Sequence, residues 1–129
     1  KRVKRIVFCS GKIYWEIEKL RQEKSKGASD VRVVRVEQLY PFPADLVEDI
    51  LADHKTADVV WMQEEPKNCG AFRFVEPYFR ELSRPARYIG RAAAASPSTG
   101  SPSVHKEQQQ AILTAALEMG LDKGVDVDV

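Results

Sequence analysis

Residues 59–77, VVWMQEEPKNCGAFRFVEP, constrain this chain more than any other stretch. Val59, Val60, Trp61 and Met62 are consecutive apolar residues, so both parities of an extended segment are apolar. A strand of that kind needs cover on both faces, as in a parallel sheet buried between helices. The character then changes at once. Gln63, Glu64 and Glu65 are polar, Pro66 is expected to stop the ladder, and Asn68 and Gly70 bring turn chemistry. Beyond them Phe72, Val75, Phe79 and Leu82 recur at helical spacing. The stretch predicts a buried strand over 59–62, an acidic loop at its carboxyl end, and a helix over about 71–83. Open α/β sheets hold ligands and interfaces at such carboxyl ends.

The rest of the chain repeats that unit. A short apolar strand spans 5–9, and Ser10-Gly11 is a turn with a candidate N-cap. Ile13, Ile17 and Leu20 mark the inner face of the helix that follows, with Lys24, Lys26 and Gly27 suited to its end. A second strand, 31–36, carries Arg32 and Arg35 on opposite parities, so it belongs nearer a sheet edge. Pro41 and Pro43 force an extended exit, and Pro43 suits the first position of a second helix with Leu46, Val47, Ile50 and Leu51 as its buried stripe. Pro77 falls inside the third helix and is expected to kink it or delay its regular part. A fourth strand spans 86–90, and residues 92–103 form a long loop of Ala, Ser, Pro and Gly. Ser103 is the expected cap of a fourth helix with Val104, Ala111, Ile112, Ala115 and Ala116 inside, ending at Gly120-Leu121. Residues 1–4 are expected to be a flexible start, 5–119 a single domain, and 120–129 a frayed tail. Strand–helix alternation with right-handed crossovers predicts a three-layer α/β/α fold, a mostly parallel sheet of about four strands with helices on both faces.

Composition narrows the function classes. A chain of 129 residues suits one domain, and a net charge of +1 gives no bulk field for nucleic acid or membrane. No apolar run approaches the ~20 residues of a membrane span. Cys9 and Cys69 form no disulfide framework, and His54 and His105 stand apart from them, so zinc spacing is absent. The opening Lys-Arg-Val-Lys-Arg has neither an initiator Met nor a signal-peptide core. The chain is therefore expected to be a piece of a longer polypeptide.

Several groups invite chemistry. Glu64 and Glu65 are adjacent in an extended segment, so they point to opposite faces and cannot share a substrate atom as a dyad. Ser10-Gly11-Lys12 lacks the rest of a phosphate loop, because Ile6 and Ile13 occupy the positions that need Gly and Ser or Thr. A weak anion site at a helix N-terminus is what remains. Arg35, Arg87 and Arg91 lie in or just after strands, and Arg73 opens the third helix; arginine's fork suits phosphate or carboxylate, and structural or solvated roles are the alternative. Cys9 and Cys69 approach one crevice if their strands are neighbours, or else pack as inert thiols. His105 has no nucleophile or carboxylate in sequence reach, so a capping or surface role competes with proton transfer. The candidate interface or effector-anion site comprises Ser10, Gly11, Lys12, Arg35, Glu64, Glu65, Asn68, Gly70 and Arg91. Taken alone, these residues specify an α/β domain without a self-sufficient active site, and a free-standing anion-sensing module is one reading of it.

FCSGKIYWEI, RVEQLYPFP, VVWMQEEPKNCGAFRFVEP and YIGRAAAASPSTGSPSVHKEQQQ, in that order and spacing, resemble the C-terminal domain of the decarboxylating component of 2-oxoglutarate dehydrogenase. The resemblance covers about 5–117. Cys69 stands where Gln or Met is commoner, and Ala92 where proline is usual. The resemblance implies a transketolase C-terminal-like domain in a homodimeric enzyme of the tricarboxylic acid cycle. That enzyme uses thiamine diphosphate and Mg²⁺ to decarboxylate 2-oxoglutarate and succinylates the lipoyl group of the dihydrolipoyl succinyltransferase component. It also implies that cofactor and metal lie in the preceding domains and that no catalytic residue falls in this segment. The related 2-oxoadipate enzyme is the alternative substrate class. Bacterial cytoplasm or mitochondrial matrix is the implied compartment. It further implies that the first and third strands are neighbours, with the second outside the first and the fourth outside the third.

Overall fold

A computed structural model describes residues 2–24, 30–95, 101–118 and 125–127. The order is β1 (Arg5–Cys9), α1 (Ile13–Glu23), β2 (Val31–Arg35), α2 (Ala44–Asp53), β3 (Asp58–Pro66), α3 (Phe72–Glu81), β4 (Arg87–Arg91), α4 (Pro102–Leu117) and β5 (Val125–Val127). The strands form one sheet in the order β2-β1-β3-β4-β5, every pair parallel. The pairing Ile6 with Val59 and Phe8 with Trp61 sets β1 beside β3 at the centre. β2 is an edge strand and only Val31 of it is fully buried, as its two arginines predict.

The doubly apolar run of β3 explains the three layers. Val59 and Trp61 join Ile6, Phe8, Val47, Leu51, Val75 and Phe79 in a core under α2 and α3. Val60 and Met62 join Val7, Ile13, Ile17, Ile89, Ile112 and Ala116 in a second core under α1 and α4. Each fully buried large apolar side chain contributes ~1.5–3 kcal/mol, so the alternation of β3 alone ties both layers to the sheet. Aromatic edges finish the α2/α3 side: Phe8 meets Phe79 at 4.9 Å, and Phe42 stacks on Tyr78 at 4.5 Å.

Arginines close the helix ends. Arg5 donates to the carbonyls of Ala115 and Ala116, each at 3.1 Å, and of Glu118 at 2.6 Å, while its other nitrogens pair with Asp58. Arg84 does the same for α2, donating to Leu51, His54 and Ala57 carbonyls. Both place positive charge on the orphan carbonyls at a helix C-terminus, where the macrodipole is negative.

Several local expectations are corrected. β3 does not end before Gln63: it continues to Pro66, which pairs with Arg91 after a register shift. Pro66 lacks only a donor, and the irregularity absorbs that loss. α3 is regular from Phe72 on both sides of Pro77, so its start is not delayed. Leu46 points to solvent, because the inner stripe of α2 is carried by Val47 and Leu51. Pro43 is the N-cap of α2 rather than its first residue, and Ser10 does not cap α1, whose N-cap is Lys12 without a side-chain bond. Ser101, not Ser103, caps α4 by accepting from the Val104 N–H. Val104 and Ala111 lie outside, and Gln108, Gln109, Leu113 and Leu117 lie within instead. β4 runs one residue later than expected and so includes Arg91. β5, for which no element was expected, adds a fifth strand through Ile89, Gly90 and Arg91. Lys26, Gly27, Gly120 and Leu121 fall outside the described residues.

Candidate functional site

The carboxyl ends of β1, β3 and β4 carry nearly all the chemistry singled out from sequence, and β3 divides it into two halves. Glu64 turns toward α1 and α4, and Glu65 lines the crevice on the other face, as adjacent strand residues must.

On the α1/α4 side the organising group is Arg91, 1% exposed. Its Nε donates to Gln108 Oε1 at 3.0 Å, and one terminal nitrogen donates to Gln109 Oε1 at 3.0 Å and to the Glu64 carbonyl at 2.5 Å. The other donates to the His105 carbonyl at 3.1 Å and lies 3.3 Å from His105 Nδ1. Burial draws the Arg91 pKa down, with Glu64 the foremost charge opposing it. Glu64 accepts from Lys12 Nζ at 3.1 Å and from Gln109 Nε2 at 3.4 Å, and Lys12 also reaches Glu16 at 3.5 Å. The hydrogen bond to Glu64 is the main reason the Lys12 ammonium is held above its usual pKa. The sequence alone puts Arg91 at the margin of an open crevice. The geometry puts it inside, with every nitrogen engaged by the chain itself.

On the α2/α3 side a buried knot surrounds Gln63. Its Oε1 accepts from Trp61 Nε1 and from the Phe72 backbone N–H, both at 2.9 Å. Its Nε2 donates to the Glu65 and Pro66 carbonyls, both at 3.0 Å. One carboxamide thus joins the end of β3 to the start of α3. Gly70 is glycine because a Cβ there would overlap that carboxamide, and a Cβ at Gly90 would meet Tyr88 and the Gln63 carbonyl. The Tyr88 hydroxyl donates to the Arg91 carbonyl, and burial is the main cause of its raised pKa. Asn68 clasps the following loop, donating to the Ala94 carbonyl at 2.9 Å and accepting from its N–H at 3.0 Å.

Between β1 and β3 a cavity of about 380 Å³ is lined by Ser10, Gly11, Leu39, Trp61, Gln63, Glu65, Cys69, Gly70 and Ala71. Gly11 reaches φ +81° at the turn there. Of the nine candidate residues, Ser10, Gly11, Glu65 and Gly70 line this crevice. Lys12, Glu64 and Arg91 form the network across the sheet, and Asn68 holds the loop. Arg35 stands apart at the edge, paired with Glu37 at 2.7 Å and lying 5.4 Å from the Trp15 ring. The two cysteines also separate: Cys9 is buried in the α1/α4 core, where burial pushes its thiol up to about 12, and Cys69 is exposed in the crevice. Sequence reasoning misses Gln63, Tyr88, Gln108 and Gln109. Only the glutamine pair leaves a trace, as polar residues interrupting the apolar stripe of α4.

The model of the family described as 2-oxoglutarate dehydrogenase C-terminal matches residues 1–117. The chain belongs to that family. Relatives in Brucella anthropi, Brucella ovis and Brucella melitensis, each named 2-oxoglutarate dehydrogenase E1 component, are 44% identical over 90% of the chain. The matched segment spans 12% of each relative's length. The parallel three-layer fold agrees with a transketolase C-terminal-like member of this 2-oxoglutarate dehydrogenase C-terminal family.

The buried arginine at these strand ends is not presented to a diphosphate such as that of thiamine diphosphate. Among the described residues no three His, Cys, Asp or Glu side chains gather to hold a metal ion. The best-placed arginine for a diphosphate, Arg91, is enclosed by Gln108, Gln109, His105 and Glu64. No helix among the described residues is long and apolar enough to cross a membrane.

Proposed function

We propose that this chain is the C-terminal domain of a 2-oxoglutarate dehydrogenase E1 component, and that it serves the architecture of the enzyme rather than its chemistry. In this reading the whole enzyme uses thiamine diphosphate and Mg²⁺, bound in other domains, to decarboxylate 2-oxoglutarate and pass the succinyl group to a lipoyl group of the succinyltransferase component. The family match over residues 1–117 carries the assignment. The carboxyl-end side chains support the division of labour. Arg91 and Gln63, the two buried polar groups at the strand ends, are taken up by internal hydrogen bonds, and Glu64 and Glu65 face opposite sides of the sheet. The acid–base groups that do meet there, Lys12 with Glu64 and Glu16, are paired with one another.

The crevice between β1 and β3, lined by Ser10, Gly11, Glu65 and Gly70, is read as a contact for the rest of the enzyme or its homodimeric partner, with an effector anion as the competing occupant. Bacterial relatives favour the bacterial cytoplasm as its compartment. The test is turnover with thiamine diphosphate, Mg²⁺, 2-oxoglutarate and an artificial electron acceptor. The intact polypeptide carrying this segment is expected to turn over, and the 129-residue chain alone is not. Turnover by the chain alone, or none by the intact polypeptide, overturns the reading.

A further inference from the structure

The large apolar side chains that stay exposed are gathered at one end of the molecule. Among the described residues they are Trp15, Tyr40, Leu46, Phe74 and Val104, exposed by 61, 81, 67, 39 and 40%. Trp15 is the third residue of α1, Leu46 of α2, Phe74 of α3 and Val104 of α4. Tyr40 lies in the connection from β2 to α2. When every strand is parallel, each following helix starts at a strand's carboxyl end. α4 obeys the same rule despite its long connection. Arg91, the last residue of β4, grips His105 near its start, and Arg5, the first residue of β1, grips Ala115 and Glu118 at its finish. Helical side chains lean toward their own N-terminus, so a third residue overhangs the strand ends. Single exposed apolar residues are ordinary, but five around one rim form a surface.

The crevice opens beside the Tyr40 and Phe74 part of that rim. The Tyr40 and Phe74 rings lie 6.5 Å apart, and the nearby Leu39 and Ala71 line the cavity along with Trp61. The charged residues nearby are of both signs, Lys12, Asp45, Glu65 and Arg73, so the face selects shape and apolar contact over a charged polymer.

We propose that this carboxyl-end crown is a buried interface covered by the remaining polypeptide of the same enzyme, which presents an apolar face and seats a side chain in the crevice. The inference rests on the domain assignment made above. Most of the length of each relative lies outside the matched segment, so a covering surface is available on the same chain. A tethered surface acts at an effective concentration near millimolar, which favours it over a second copy arriving from solution. Inter-domain contacts of ~600–1,500 Å² are of the size such a crown can supply.

The test labels thiols in the intact polypeptide. Leu46→Cys and Phe74→Cys report on the crown, and Lys55→Cys, exposed at the amino end of β3, is the control. Peptide mapping after a short pulse of a maleimide is expected to show the crown positions reacting at least tenfold more slowly than Lys55→Cys, at every protein concentration. Native Cys69, exposed in the crevice, gives the same reading with no substitution. Equal rates overturn the interface, and protection that disappears on dilution overturns the choice of occupant in favour of a second copy. Labelling needs no turnover. A preparation that protects the crown without decarboxylating 2-oxoglutarate overturns the functional reading alone, and an active one with a freely reacting crown overturns the interface alone.

Discussion

The Gln63 knot makes a quantitative prediction through Gly70. Gln63→Ala removes the acceptor of the buried Trp61 indole N–H and of the Phe72 backbone N–H. Two orphaned donors at ~1–3 kcal/mol each, eased by water entering from the crevice, give a loss of about 3 kcal/mol. Gly70→Ala in the native background drives a methyl into the same carboxamide. That group is held by four hydrogen bonds, so it cannot swing aside without losing them, and the cost is about 2 kcal/mol. In the double variant the overlapping atoms are gone. The added methyl then costs nothing, or helps slightly by restricting the unfolded chain. The two changes should therefore couple by about 2 kcal/mol, several times the scatter expected of independent sites. Urea unfolding followed by tryptophan fluorescence reads all four corners of the cycle. With a slope of ~1–3 kcal/mol per molar, the coupling appears as a midpoint shift of about 1 M. Additivity within about 0.5 kcal/mol would mean that Gly70 answers to something other than Gln63, and the knot would lose its role in joining β3 to α3.

Arg91→Met should lower stability by ~3–5 kcal/mol, since it strands the Glu64 and His105 carbonyls and two glutamine carboxamides, and Arg91→Lys should recover only part of it because an ammonium cannot reach both sides; equal stability of Met and Lys variants by urea unfolding would refute the fork. Cys9 gives a pH dependence. Its folded pKa is raised from 9.0 to about 12, so the fold binds the thiol proton more tightly than the unfolded chain does. That contribution is fully present below about pH 9 and is lost as pH rises toward 12. Cys9→Ala should flatten the alkaline fall in urea midpoint above pH 9, and an unchanged slope would refute the assignment.

What could be read from the sequence followed strong periodic signals. Four apolar residues in a row put Val59–Met62 between two helical layers, and arginines on both parities put Val31–Arg35 at an edge; both hold. The largest failure comes from side-chain pairing between distant segments. Arg91 looks like a ligand-seeking arginine at a strand end until Gln108 and Gln109 are brought beneath it by α4. Leu46 and Val104 read as members of inner stripes because an apolar residue in a first turn fits the helical period. The period cannot say that the stripe starts later. β5 is three residues long, and its pairing with β4 lies beyond any local pattern.

The central claim is that the polar residues at the strand ends hold this domain together and touch no substrate. Steady-state kinetics of the intact polypeptide carrying Glu64→Gln or Glu65→Gln tests it most directly. The account predicts kcat and KM for 2-oxoglutarate within about threefold of the native values (~0.7 kcal/mol). A hundredfold or greater loss of turnover at unchanged stability would contradict it.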